Sequence, residues 1–210
     1  MARLGQTGHA QNGQCCVILT DREIQIAIRR GLIKIHPQPT SDIVFSSTAI
    51  DLTLDSNLRI FDPEVVGVEK IIDPSKKGFN SDLTVSEITH AENIRATGYL
   101  LKPKILILAW TAEYVTLDIG TRIAARVEGK SSLARLGLGV HVTAPTIHAG
   151  FEGQIQLEMI NHGSVPIRLR TGMRICQLIF ETTLGTPERG YQGQFLDQTA
   201  KRKKQKSKAA

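Results

Sequence analysis

Gly153-Gln-Ile-Gln-Leu-Glu-Met159 is the stretch on which the fold turns. Ile155, Leu157 and Met159 alternate with Gln154, Gln156 and Glu158, so a strand places the first set on a buried face and the second on the opposite face. The same period of two returns in Ile50-Asp-Leu-Thr-Leu54, and Ile105-Leu-Ile-Leu-Ala-Trp110 is the continuous apolar run of a strand buried on both sides. Pro166-Ile-Arg-Leu-Arg170, a Thr171-Gly172 turn and the segment Met173 to Phe180 read as a hairpin. Short strands broken by Gly and Pro predict a mainly β domain, a barrel or a jelly-roll-like sandwich. One helix precedes them, near residues 21–30: Thr20-Asp-Arg-Glu23 is a capping box, Ile24, Ala27 and Ile28 form the apolar stripe, and Gly31 stands where a helix ends. Asp73 to Glu92 is polar and poorly periodic and reads as a long surface excursion with a helical turn in it.

A chain of 210 residues suits one domain with a real core. Its longest apolar run, Ile105 to Trp110, is far short of the roughly 20 residues that span a bilayer, and Met1 to Gln14 carries no apolar signal segment. No membrane association and a cytoplasmic location are therefore expected. Cys15 and Cys16 are adjacent and Cys176 stands alone, which is neither a disulfide framework nor a zinc-ligand set. The formal charge of +6 belongs to the end of the chain, because Lys201, Arg202, Lys203, Lys204, Lys206 and Lys208 are six cations with no acid among them. The body is balanced, so no folded nucleic-acid-binding surface is expected. Residues 1–16 are expected to be a disordered arm, 17–198 the domain, and 199–210 a disordered basic tail that solubilises or touches polyanions.

The residues that bear on chemistry lie close together. Lys130-Ser-Ser-Leu-Ala-Arg135 predicts a short helix opening at Ser131, with amides and a forked guanidinium suited to phosphate or carboxylate. Ser131 and Arg135 are four apart and share a face. Glu158, on the polar face of its strand, has two readings: a tuned proton carrier, or a surface ion-pair partner of Arg135. His141 and His148 flank the loop Thr143 to Gly150 without any metal spacing. His90-Ala-Glu92 matches half of the zinc deaminase signature, but the required P-C-x-x-C is missing, since Cys176 is the one cysteine downstream.

KSSLARLGLGVHVTA (130–144), HAGFEGQIQLEMIN (148–161) and GMRICQLIF (172–180) together resemble the dCTP deaminase family of the dUTPase superfamily. The similarity runs from about Cys16 to Gln198, and Ser47 to Arg59 is similar to the family's N-terminal strand. The resemblance implies a distorted jelly-roll, or β-clip, dUTPase-like subunit and a homotrimer with active sites between subunits. It implies hydrolysis of dCTP to dUTP and ammonia, feeding dUMP and dTTP precursor synthesis, with Mg²⁺ bound through the triphosphate, no zinc and no protein ligands to a metal. It also raises dTTP as an inhibitor. Position by position, Glu158 falls on the general base, and Ser131 and Arg135 on the residues that hold the water and that carboxylate. Lys130, Ser131, Ser132, Leu133, Ala134 and Arg135 fall on the phosphate loop. Val142 and Ala144 fall where backbone groups read the pyrimidine, and Gln156 and Leu157 lie on the strand of the base. Tyr191, Gln194 and Gln198 resemble the segment that closes over the nucleotide.

Three positions depart from the family pattern. His148 stands where an Asp is usual. In dUTPases that Asp serves the water that attacks phosphate, so His148 argues against a dUTPase and against a bifunctional deaminase–diphosphatase. Lys130 replaces the usual Arg and offers a point charge in place of a fork. Gln194 stands where many relatives have Lys. Two other readings remain beside these: a silent nucleotide-binding regulatory module on the same scaffold, and nucleic-acid binding through the basic tail.

Overall fold

The computed structural model describes residues 17–62 and 71–190. Helix α1 (Asp21–Arg29) begins where expected, with the Glu23 carboxylate accepting the Thr20 amide at 3.1 Å, and buries Ile24 and Ala27. Gly31, at φ +70°, supplies the left-handed step that turns the chain away from it. Thirteen strands follow among the described residues: β1 (Ile33–His36), β2 (Phe45–Ser46), β3 (Ala49–Thr53), β4 (Asn57–Phe61), β5 (Thr89–Asn93), β6 (Tyr99–Leu101), β7 (Leu106–Leu117), β8 (Ile123–Gly129), β9 (Leu138–Gly139), β10 (Thr146–Ile147), β11 (Glu152–Asn161), β12 (Ile167–Leu169) and β13 (Arg174–Thr182). Helix α2 (Ser81–Ile88) and the single turn α3 (Ser131–Ala134) interrupt them. No helix among the described residues is long and apolar enough to cross a membrane.

The strands form two main antiparallel sheets. One runs β5-β4-β7-β11-β9 with β1 also paired to β7, and the other runs β10-β8-β13-β3-β2. Their inner faces meet in one core, in which Ile107, Ala109, Leu157 and Met159 of the first sheet join Leu52, Val127, Leu178 and Phe180 of the second. Each of these side chains other than Ala109 contributes about 1.5–3 kcal/mol of burial. The mainly β architecture expected from the alternation is the architecture found.

Two local expectations are corrected. The turn at Thr171-Gly172 forms, with Met173 N–H donating to Arg170 C=O at 3.1 Å, but it is not a hairpin turn. β12 pairs with β6, whereas β13 pairs with β3 and β8, so the chain changes sheets at the turn. Asp73 to Glu92 is not an irregular excursion throughout. Asn80 accepts the Leu83 amide and caps the two-turn helix α2, and β5 follows directly as an edge strand on β4. An edge strand with a largely exposed sequence has no apolar alternation to announce it.

The site is positioned mainly by β7 and β11. Glu158 lies opposite Leu108 and Gln156 opposite Trp110 in their antiparallel ladder. On β7 the ladder breaks, so that Thr111 to Glu113 face Ile155 alone. Thr111 Oγ accepts the Ile155 amide at 3.0 Å, and Glu113 accepts the Thr53 amide and hydroxyl at 2.9 and 2.7 Å, which ties the bulge to β3.

Candidate active site

β11 alternates without interruption from Glu152 to Asn161, and this alternation sends Glu158 away from the core between the buried Leu157 and Met159. Its cross-strand neighbours on that face, Leu108 and Trp110, are 7% and 6% exposed and shield part of it from water. Burial pushes the Glu158 carboxyl above its ordinary value, against the opposing pull of its own and the Val142 backbone amides and of the His141 ring. A carboxylate with a raised proton affinity beside a backbone donor is suited to take a proton from water and pass it on.

His141 is a residue that sequence reasoning left without a role. Its Nε2 lies 4.0 Å from Glu128, and its Nδ1 is buried with no hydrogen-bond partner. It therefore stands between two carboxylates, Glu128 and Glu158. No spacing in the sequence brings these three together. Trp110, whose indole N–H is likewise buried without a partner, was read as a core residue but lies on the face that carries Gln156 and Glu158.

The second part of the site is the turn after β8. Leu133 and Ala134 N–H donate to Lys130 C=O at 2.9 and 2.8 Å, closing α3 as a single turn at the predicted place. Ser131, Ser132, Ala134 and Arg135 are exposed, and Leu133 packs on the core. Gly137, at φ +93°, lets the chain double back so tightly that a Cβ there would lie 2.3 Å from Gly163 N. His162 N–H donates to Gly137 C=O at 2.7 Å. Buried Asn161 fixes this crossing by donating to Leu101 and Val165 carbonyls at 3.0 and 2.9 Å and accepting from Gly163 N–H at 2.9 Å. The turn that carries Ser131 and Arg135 is thus braced against the end of the strand that carries Glu158.

The remaining predicted residues are distributed as follows. Val142 and Ala144 are exposed on the loop between β9 and β10, His148 is exposed just after β10, and Gln156 is half-buried opposite Trp110. Leu157 is fully buried in the core, so the side chain is unavailable and a ligand would meet only its backbone. Lys130 does not project free into solvent: its ammonium lies 2.5 Å from the buried carboxylate of Asp51. Among the described residues no ion pair or hydrogen bond joins Ser131 or Arg135 to Glu158 within one chain. His90 and Glu92 lie on the edge strand β5, and no group of three or more His, Cys, Asp or Glu side chains among the described residues could hold a metal ion. Tyr191, Gln194, Gln198, the arm 1–16 and the basic tail lie outside the described residues.

A strand-borne acid with raised proton affinity and a separate, exposed Ser/Arg turn on a two-sheet scaffold are the parts of a candidate acid–base site on a β domain. Residues 18–183 match the family described as dCTP deaminase-like, and the chain belongs to that family. It is 38% identical over 182 residues to the "dCTP deaminase, dUMP-forming" of Sulfurihydrogenibium sp. (strain YO3AOP1), covering 87% of this chain and 93% of that one. It is 39% identical to the protein of the same name from Aquifex aeolicus (strain VF5), covering 87% and 91%. To the "dCTP deaminase" of Rhodospirillum rubrum it is 35% identical, covering 82% and 86%. The crystal structure of 2'-deoxycytidine 5'-triphosphate deaminase from Agrobacterium tumefaciens superposes with a TM-score of 0.60 at 22% identity, over 80% of this chain. The aligned part is 49% of that chain, about half its length, and the likeness shows a shared fold.

Proposed function

We propose that the protein is a hydrolytic deaminase of dCTP, in which water replaces the 4-amino group of the cytosine and ammonia leaves. The observation that carries this reading is Glu158, held protonatable on a partly shielded strand face with the Val142 amide beside it. Cytosine C4 is a poor electrophile while its ring is neutral. Glu158 takes one proton from water as the water oxygen bonds to C4 and delivers it to N3. The second proton of that oxygen passes to the 4-amino nitrogen as the C4–N bond breaks and ammonia leaves. This general acid–base help supplies roughly 10²–10⁴-fold of rate. The rest comes from holding water and base in line and from donors at the developing charge. Arg135 orients the carboxylate and Ser131 hydrogen-bonds the water or the exocyclic nitrogen.

Among the described residues no hydrogen bond or ion pair joins Ser131 or Arg135 to Glu158 within one chain, and Leu136 and Val142 beside them are 59% and 56% exposed. Both facts support sites completed between copies, in the homotrimer that the resemblance implies. Mg²⁺ would enter on the triphosphate, as the resemblance implies. When bound, it screens the phosphate charge. Water activation without zinc, inhibition by dTTP, a cytoplasmic setting and closure by Tyr191, Gln194 and Gln198 belong to the same proposal.

The proposed product is dUTP, because His148 stands where a dUTPase needs Asp. A second reading, dUMP with pyrophosphate, is favoured by the names of the Sulfurihydrogenibium and Aquifex relatives. Incubating the protein with dCTP and Mg²⁺ and resolving ammonia, dUTP, dUMP and pyrophosphate separates them. Ammonia with dUTP alone supports the first reading, dUMP with pyrophosphate the second, and absence of ammonia refutes both.

A further inference from the structure

Asp51 is predicted by its place in an alternating strand to face the polar side, yet its side chain is only 7% exposed. A buried carboxylate is costly unless cations and donors surround it. Lys130 Nζ lies 2.5 Å from its Oδ1, Gln177 Nε2 donates to the same oxygen at 3.2 Å, and Arg174 Nη1 lies 3.6 Å from Oδ2. The same Nη1 also donates to Ile43 C=O at 3.0 Å, which holds one end of the guanidinium of a side chain that is still 42% exposed. One carboxylate therefore draws together a cation from the start of the Ser131–Arg135 turn and a cation from the start of β13. Glu113, the other acid near this cluster, is occupied by Thr53.

We propose that Asp51 is a positioning residue that holds Lys130 and Arg174 as a two-cation clamp for the substrate's phosphates, and that Arg174 is a phosphate-binding residue. An ammonium has three donors and a guanidinium five, so both keep donors to spare after serving Asp51. The clamp also accounts for the lysine. A lysine is a flexible point charge that must be ordered before it can grip an anion, and Asp51 orders it in advance. The inference rests on the reading of the substrate as a nucleoside triphosphate.

The test uses the full chain and inorganic tripolyphosphate, titrated calorimetrically, alongside dCTP kinetics and competition by deoxycytidine, which has no phosphate. Arg174→Gln is expected to weaken tripolyphosphate binding and raise KM for dCTP by about tenfold, the loss of one charge-assisted contact, with kcat within about twofold. Deoxycytidine affinity stays constant. Asp51→Asn moves the same quantities further, since both cations lose their holder. If that variant does not fold, Arg174→Gln decides alone, because it leaves the Asp51–Lys130 pair intact. Unchanged tripolyphosphate affinity in Arg174→Gln, or an equal loss of deoxycytidine affinity, overturns the clamp. A wild-type chain that binds tripolyphosphate but releases no ammonia from dCTP refutes the deaminase reading and leaves the clamp standing.

Discussion

Replacing Glu158 by Gln removes a proton carrier while leaving almost everything else in place. The amide oxygen of Gln can still accept from the Val142 backbone, and the side chain has the same length against Leu108 and Trp110. Loss of general acid–base help of about 10²–10⁴-fold raises the barrier by about 2.7–5.4 kcal/mol. Stability should move the other way. Burial holds the native carboxyl above its ordinary value, while the unfolded chain titrates at about 4.3. Below that pH both states are protonated and the group is neutral to folding. Above the raised native value both are ionised and the native state bears the whole desolvation cost. The wild type therefore loses stability as pH rises through that interval and the variant does not. At neutral pH the variant is as stable or slightly more so, by less than about 1 kcal/mol, because solvent still reaches part of the group and screens it. Ammonia release, dCTP binding and urea unfolding at pH 4 and pH 7 check these points. Turnover above about one tenth of wild type lies below the smallest effect expected of a general base and refutes the assignment. A marked loss of stability at pH 7 instead marks Glu158 as a structural ion-pair partner.

Three further outcomes follow from the geometry. The acid limb of the kcat/KM profile for dCTP should lie above the ordinary carboxylate range, since Glu158 must be ionised to act, and a limb at or below that range contradicts the base assignment. Gly137→Ala forces an L-residue into φ +93° with its Cβ 2.3 Å from Gly163 N, so both thermal stability and ammonia release should fall as the Ser131–Arg135 turn is displaced. Unaltered activity in that variant shows that the crossing does not position the turn. Asn161→Ala removes the three hydrogen bonds of a buried side chain and should cost about 3 kcal/mol, a fall in Tm of about 6–12 °C by calorimetry.

What could be read from the sequence was whatever the core enforces locally. The facing of Glu158 was legible because its neighbours at 157 and 159 are bound to go inward. The capping box and the turn at Ser131 were legible because each is closed by bonds within a few residues. The Thr171-Gly172 turn was legible as a turn but not as a change of sheet, because a turn fixes where the chain reverses and not which strand it meets. Asp51 looked like the wet position of an alternating strand. Its burial depends on Lys130 and Arg174, which reach it from distant parts of the chain. His141 went unassigned for the same reason, since Glu128 and Glu158 approach it from two different strands. The strand β5 was missed because its partner on one side only leaves it without an inward rhythm.

The alternation of β11 has a consequence for how such a protein can change. Inserting one residue between Gly153 and Leu157 would turn the acid inward and push aliphatic side chains into water, abolishing chemistry and folding in one event. The acid cannot migrate along its strand by small steps, because every odd displacement is lethal to the core. Lineages that alter what this pocket does are confined to exchanging side chains in place around a fixed carboxylate, or to remodelling the loops that frame it.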